Sequence, residues 1–156
     1  MIELLVAVAL FAIVVSIASG TFVQALRTQR QMVALMAAND NASLALEQMV
    51  REIRTGREFS TTGTRLTFTN YLEQTVTYEL ESAEIGTIIR ASNAINQPLT
   101  SKNVDVKYLN FDLVGEDLND GQSTRVRINL GVNARGLPEG FATSLQTSVS
   151  SRILDS

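Results

Sequence analysis

The spacing of hydrophobic residues changes twice along this chain, and each spacing predicts a different kind of element. From Leu4 to Gln24 the sequence carries no charged residue. As a helix, its first 20 or so residues span roughly 30 Å, the thickness of the hydrocarbon core of a bilayer. Residues 1–24 are therefore predicted to form a hydrophobic transmembrane helix.

The helical pattern continues beyond this run but becomes amphipathic. Across residues 25–56, mostly apolar positions recur every three or four residues, while most charged residues, Glu52 among them, fall outside the stripe. Gly56 then follows the last periodic position and is a plausible C-cap. The predicted stripe comprises Leu26, Arg30, Val33, Met36, Ala37, Leu44, Leu46, Met49, Val50 and Ile53.

After Gly56 the period falls to two, which is typical of half-buried strands, so residues 57–156 are predicted to form a β-rich head. A change of parity near Tyr108 indicates a bulge. The predicted fold class is α+β: a long N-terminal α-helix, with a protruding hydrophobic half and an amphipathic half, packed on an antiparallel β-sheet head. Predicted strands contain Leu66 and Phe68; Val76, Tyr78 and Leu80; Ile88 and Ile89; Val104 to Leu113; Val126 to Val132; and Leu145 to Val149.

The lengths of these parts do not match. Residues 3–55 as one helix would be about 80 Å long, whereas a globule of the remaining 100 or so residues is roughly 35 Å across. The head can cover only the second half of such a helix. We therefore expect lipid or other helices to bury the first half.

Composition removes several classes of function. The chain has no Cys and no His, which excludes disulfides, thiol or Ser/His/Asp catalysis and nearly all zinc chemistry. A net charge of −3 gives no sign of a nucleic-acid site. We predict no catalytic residues, no metal site and no cofactor. The oxygen-rich loop from Glu116 to Gly121 resembles a calcium loop, but its spacing does not fit an EF-hand, so a solvated hairpin loop is favoured.

Glu3 places a carboxylate at the head of the apolar helix. A charge drawn into lipid costs on the order of 2–3 kcal/mol, less near the interface. In one reading, the Glu3 carboxylate reaches the lipid headgroups and is stabilised by the positive N-terminal end of its own helix. In the other, it pairs with a cation from a neighbouring subunit. The residues alone leave both readings open.

The sequence from Met1 to Val15, with Glu3 followed by Leu-Leu-Val and an apolar helix, resembles the N-terminus of mature type IV pilins and type II secretion pseudopilins. The resemblance covers about the first 25 residues and is weaker in the head. It implies removal of a basic leader by a prepilin peptidase, methylation of the new terminal amine, and pairing of Glu3 with the terminal ammonium of an adjacent subunit. Family members usually carry four residues before this glutamate and this chain has two, so we expect two mature residues and the leader to precede Met1, unless processing differs.

On this resemblance, we expect a structural subunit of an extracellular type IV pilus-like filament on the cell surface, with a precursor pool in the membrane. Its expected partners are copies of itself in a helical homopolymer, the inner or cytoplasmic membrane before assembly, the prepilin peptidase and the pilus assembly machinery. Gly20 is the weakest helical point. Because several filaments of this family are unwound nearby, we predict loosening between Ala12 and Gly20, with Ser16, Ser19 and Gly20 as the candidate residues.

Three alternatives remain open at this stage. The chain could be a minor pilin or pseudopilin of a secretion or DNA-uptake apparatus. It could be a monomeric, membrane-anchored extracellular binding module. The third alternative is a secreted enzyme with a signal peptide at its start. A signal peptide requires a basic residue before its apolar run, and no Lys or Arg precedes the run here.

Overall fold

The fold is α+β, as predicted. In the computed structural model, which describes residues 1–82, 84–115 and 124–151, one helix, α1, runs from Ile2 to Ile53 and packs against antiparallel sheets. The chain divides into two compact units, Met1–Ala34 and Leu35–Ser156. Helix α1 contributes to both units.

The first unit is helical from Ile2 onward, and every side chain from Met1 to Arg30 is exposed. No part of its apolar run is buried. By length and composition, α1 is therefore able to cross a membrane.

The loosening predicted between Ala12 and Gly20 is absent from this single chain, because α1 is continuous there. Glycine in a helix costs only about 1 kcal/mol, and no proline removes a backbone donor from this stretch. The Thr21 hydroxyl also donates a hydrogen bond to the Ile17 carbonyl at 2.6 Å, so this polar group is satisfied within the helix. One glycine, with no proline nearby, is too weak a signal to break α1.

In the second unit, α1 buries a face that is rich in alanine. The predicted stripe is right for Leu46, Met49 and Ile53, but Met36 and Leu44 are each 64% exposed. Small alanine side chains let a helix approach a sheet closely, and a stripe drawn through the larger apolar residues overlooks them. The buried residues of α1 are Ala38, Ala42, Ala45, Leu46, Met49 and Ile53.

The head contains two antiparallel sheets in its described part, where the sequence suggested one. The first sheet has five strands in the order β1-β2-β3-β4-β5. Strands β1 and β5 were not among the predicted strands; β5 is an edge strand that pairs with β4. The five strands are β1 Arg57–Thr61, β2 Arg65–Thr69, β3 Thr75–Ser82, β4 Gly86–Ser92 and β5 Ile95–Pro98.

The second sheet has the order β6-β7-β8, with β6 Val104–Val114, β7 Arg125–Ala134 and β8 Thr143–Ser150. A short 3-10 helix, Glu139–Phe141, lies between the last two strands. The register of β6 against β7 shifts between Val106 and Tyr108, which confirms the predicted bulge.

The bulge turns the Tyr108 ring over Gly131 on the neighbouring strand, where a Cβ atom would overlap the ring. The Tyr108 hydroxyl is hydrogen-bonded to the Ser144 hydroxyl at 2.6 Å. One aromatic side chain therefore fills the gap that the glycine leaves and ties all three strands of the second sheet together.

The core draws on the inner faces of both sheets. Phe68 lies at its centre, with ring centroids 5.5 Å from Phe59 and 5.9 Å from Tyr78. The two sheets meet closely where the Gly86 amide donates to Asp105 Oδ1 at 3.1 Å. Other fully buried side chains are Leu66, Val76, Ile88, Leu109, Phe111, Val126, Ile128, Leu130 and Val132.

Gly56 follows the end of α1, as predicted, and its amide donates to the Ile53 carbonyl at 3.0 Å. Its backbone is not left-handed, so it is not the αL cap that a glycine in this place usually forms. A Cβ atom at Gly56 would instead overlap the Phe68 ring. Close packing is the reason for this glycine.

Candidate functional site

The apolar helix of the first unit is the first candidate functional surface. Twelve large apolar side chains between Leu4 and Val23 are exposed, by 44% to 72% of their area. At about 1.5–3 kcal/mol for each side chain removed from water, covering them is worth roughly 20–35 kcal/mol. That exceeds the net stability of a typical domain, about 5–15 kcal/mol. Water is therefore a poor solvent for this helix.

Glu3 lies in the first turn of α1 and is exposed. Among the described residues it forms no ion pair, and the nearest cationic side chain along the sequence is Arg27, 24 residues away. Twenty-four helical residues span about 36 Å. No cationic side chain of its own helix can therefore neutralise Glu3, and the positive end of the helix macrodipole favours its carboxylate.

The hinge candidates Ser16, Ser19 and Gly20 lie within this helix and are exposed. A Cβ atom at Gly20 would contact nothing within 4 Å. Neither packing nor backbone strain requires a glycine there in the single chain. The structure places these residues on α1 but joins them to no other predicted site residue.

The second candidate site lies in the second unit, where Glu52 accepts four hydrogen bonds in the last turn of α1. Arg90 of β4 donates from Nε to Oε2 at 2.8 Å and from Nη2 to Oε1 at 2.6 Å. The Tyr78 hydroxyl donates to Oε2, and Asn70 Nδ2 donates to Oε1 at 3.3 Å. These bonds attach the end of the helix to β3, β4 and the turn between β2 and β3.

The charges in this cluster compensate each other. Burial alone would raise the pKa of Glu52, but hydrogen bonds from Arg90, Tyr78 and Asn70 outweigh it and hold the pKa below its ordinary value of 4.5. The same bond to Glu52 raises the pKa of Arg90, while burial and the bond to Glu52 raise the pKa of Tyr78. Glu52 is therefore ionised at neutral pH and Tyr78 is not, so the cluster is an ion pair with a neutral phenol.

Sequence reasoning missed this cluster and placed Glu52 on the solvated face of the helix. The side chains of Glu52 and Arg90 are only 15% and 19% exposed. Glu52 is one residue before the buried Ile53, and Arg90 directly follows the buried Ile88 and Ile89. A charge beside each buried run was the available signal, but the 38 residues that separate the pair hid their contact.

A cavity of about 520 Å³, the helix-end pocket, lies beside this cluster. The last turns of α1 contribute Gln48, Arg51 and Glu52 to its lining, and Thr55 follows just after the helix. Tyr71, Arg90 and Gln97 also line it. Its volume is within the range of pockets that hold small ligands, about 300–1,000 Å³.

The described residues contain no group of three or more Asp, Glu, His or Cys side chains that could hold a metal ion. The loop weighed for calcium, Glu116 to Gly121, lies outside the described residues. Among the described carboxylates, those of Glu52, Glu73, Glu79 and Asp105 each form an ion pair with one cationic side chain.

Comparison with protein-family models, with curated proteins and with solved structures finds no match to this chain.

Proposed function

We propose that this chain is a structural subunit of an extracellular type IV pilus-like filament, in which copies pack through their N-terminal helices. The observation that carries the proposal is the continuous apolar helix from Leu4 to Val23, exposed along its whole length. Glu3 stands at its head and forms no ion pair with the residues that the structure describes. An apolar helix of this length has two suitable environments, a bilayer and a bundle of similar helices.

Glu3 favours the bundle as the final state. In a bilayer, an unpaired carboxylate near the head of the helix adds a cost that falls towards the interface. In a bundle, a cation from an adjacent copy offsets the charge where water is absent. The resemblance to pilins assigns this role to the terminal ammonium of the neighbouring subunit. Glu3 then favours correctly staggered copies over random ones.

The membrane holds the subunit before assembly on this proposal. The prepilin peptidase and the assembly machinery, which the resemblance implies, process the chain and extract it from the membrane. Major pilins, minor pilins and pseudopilins share this helix, so the proposal covers all three roles.

Substitution of Glu3 tests the proposal. In cells with the assembly machinery, Glu3→Gln should leave membrane insertion unchanged and abolish sheared filaments, since it removes the charge but keeps the size. Glu47→Gln is the matched control, because Glu47 is an exposed carboxylate of the same helix that belongs to the second unit. Normal filaments from Glu3→Gln would contradict the assembly role.

The helix-end pocket favours a second candidate, a membrane-anchored module that binds a ligand as a monomer. In that case the wild-type chain stays in the membrane fraction at the mass of one copy. Cross-linking in intact membranes separates the two, because only the filament subunit gives products larger than a dimer.

A further inference from the structure

Glu52 and Arg90 both line the helix-end pocket, and hydrogen bonds hold both side chains in place. We call this pair the floor of the pocket. Both oxygens of Glu52 are occupied, Oε1 by Arg90 and Asn70 and Oε2 by Arg90 and Tyr78. The charges of Glu52 and Arg90 cancel, and the bidentate bonds fix the guanidinium plane. The floor is thus neutral overall and preorganised.

The same cluster holds the rim of the pocket in place. Asn70 is 3% exposed, and its Oδ1 accepts hydrogen bonds from the amides of Leu72 and Gln74, both at 3.0 Å. These bonds fix the turn that carries Tyr71, and Asn70 Nδ2 ties that turn to Glu52. A buried polar side chain therefore positions an exposed aromatic residue at the mouth of the pocket.

Two hairpin turns lie at the end of the five-stranded sheet that carries Tyr71. Val76 pairs with Ser92, and Ser92 pairs with Ile95, so the β2–β3 and β4–β5 turns lie at the same end of the five-stranded sheet. Tyr71 is 71% exposed and Ile95 is 70% exposed. Of these exposed side chains, Tyr71 lines the pocket.

Four polar side chains of the pocket are uncommitted. Among the described residues, no side-chain hydrogen bond or ion pair involves Gln48, Arg51, Tyr71 or Gln97. Arg51 offers five N–H donors, and each glutamine amide offers two donors and one acceptor. Donors therefore outnumber acceptors among these four side chains, and Arg51 is the one of the four that carries a charge.

This inventory defines the ligand. A carboxylate matches the planar guanidinium of Arg51 with two parallel hydrogen bonds. Hydroxyl groups both donate and accept, as the amides of Gln48 and Gln97 do, and the apolar C–H face of a sugar ring suits the side chain of Tyr71. We propose that the helix-end pocket binds a saccharide that bears a carboxylate, with Arg51 pairing with the carboxylate and Gln48, Gln97 and Tyr71 holding the ring.

The inference does not rest on filament assembly, because every residue of the pocket belongs to the second unit. It adds a recognition function to the head, whether the chain polymerises or stays single. A test on the single chain therefore separates failure of this inference from failure of the proposed assembly.

The test is a titration of the full chain, labelled with ¹⁵N, in micelles of a detergent without a sugar head group. D-Glucuronate is the probe, and D-glucose is the matched neutral sugar. Glucuronate should shift the side-chain amide signals of Gln48 and Gln97 in a saturable way, with glucose at least about tenfold weaker because it lacks the charge-assisted bonds.

Two arginine variants locate the charge. Arg51→Gln should weaken glucuronate binding by about tenfold, whereas Arg54→Gln should leave it unchanged. Arg54 is on the same helix end but does not line this pocket. Near-UV circular dichroism of both variants checks that the head remains folded.

Several results would overturn the inference. No saturable response to glucuronate would do so, as would equal binding of glucose. Equal losses in the two arginine variants would indicate general charge attraction. Saturable shifts with an acidic peptide but not with glucuronate would show that the pocket binds a peptide instead.

Discussion

Glu52 connects the end of α1 to the sheet, and its replacement by glutamine should destabilise the second unit strongly. Glu52→Gln keeps the size of the side chain but removes the charge and turns one acceptor oxygen into an amide donor. That donor would face the N–H groups of Arg90, which have no other acceptor in the cluster. Arg90 would then be a poorly exposed and uncompensated charge.

The magnitude follows from the burial of the pair. Removing one partner of a buried ion pair costs about 3–5 kcal/mol. Because Glu52 and Arg90 are 15% and 19% exposed rather than fully buried, the lower end applies, about 3 kcal/mol. For a unit of this size, such a loss lowers the melting temperature by about 10 °C.

Thermal unfolding of the full chain in micelles, followed by near-UV circular dichroism, measures this loss. The control is Glu73→Gln, which breaks a surface ion pair with Arg57. The side chain of Glu73 is 69% exposed and that of Arg57 is 54% exposed. That pair contributes less than about 1 kcal/mol. Adding Arg90→Met to Glu52→Gln should recover stability, since no charge is then left unpaired. Similar melting of Glu52→Gln and Glu73→Gln would refute the reasoning.

Three further predictions concern the fold. Gly131→Ala should destabilise the second sheet by about 1–3 kcal/mol in urea unfolding, because its Cβ would displace the Tyr108 ring; an unchanged midpoint would contradict this. The pKa values of Glu52 and Asp105 are both lowered in the folded chain, so the stability they contribute should be full above their ordinary pKa values of 4.5 and 3.8 and should fall as the pH drops through the folded values. Melting temperatures measured at acid pH check the direction, and Glu52→Gln should weaken their dependence on pH. Gly20→Ala should stabilise α1 by about 1 kcal/mol, since no neighbour lies within 4 Å of the added atom; unchanged far-UV helicity and amide exchange in micelles would count against it.

The best-predicted elements are strands whose side chains alternate between the core and the opposite face of the sheet. Val126, Ile128, Leu130 and Val132 face the core at every second position, and all four are fully buried in β7. The parity change near Tyr108 predicted the bulge because one extra residue moves later side chains to the opposite face. The alternation of neighbouring residues is enough to predict which side chains of β7 face the core and where β6 bulges.

The remaining features depend on contacts that periodicity does not encode. Alanine is only weakly hydrophobic, so Ala38, Ala42 and Ala45 did not stand out as the face on which α1 packs, although all three are buried. The strand from Ile95 to Pro98 is short, exposed and contains proline, which reads as a turn until the pairing with β4 is known. The helix-end pocket joins side chains from the end of α1, the β2–β3 turn, β4 and β5, and no pattern in the sequence indicates that these four segments meet.

The central claim is that the helix from Leu4 to Val23 becomes the core of a polymer. Electron cryo-microscopy of surface-sheared material, combined with mass spectrometry to identify the subunit, tests it most directly. The account predicts thin filaments built from this chain, with the apolar helices bundled along the axis and Glu3 within reach of a cation from the neighbouring copy. A chain found only in the membrane fraction, as single copies and never in filaments, would contradict it.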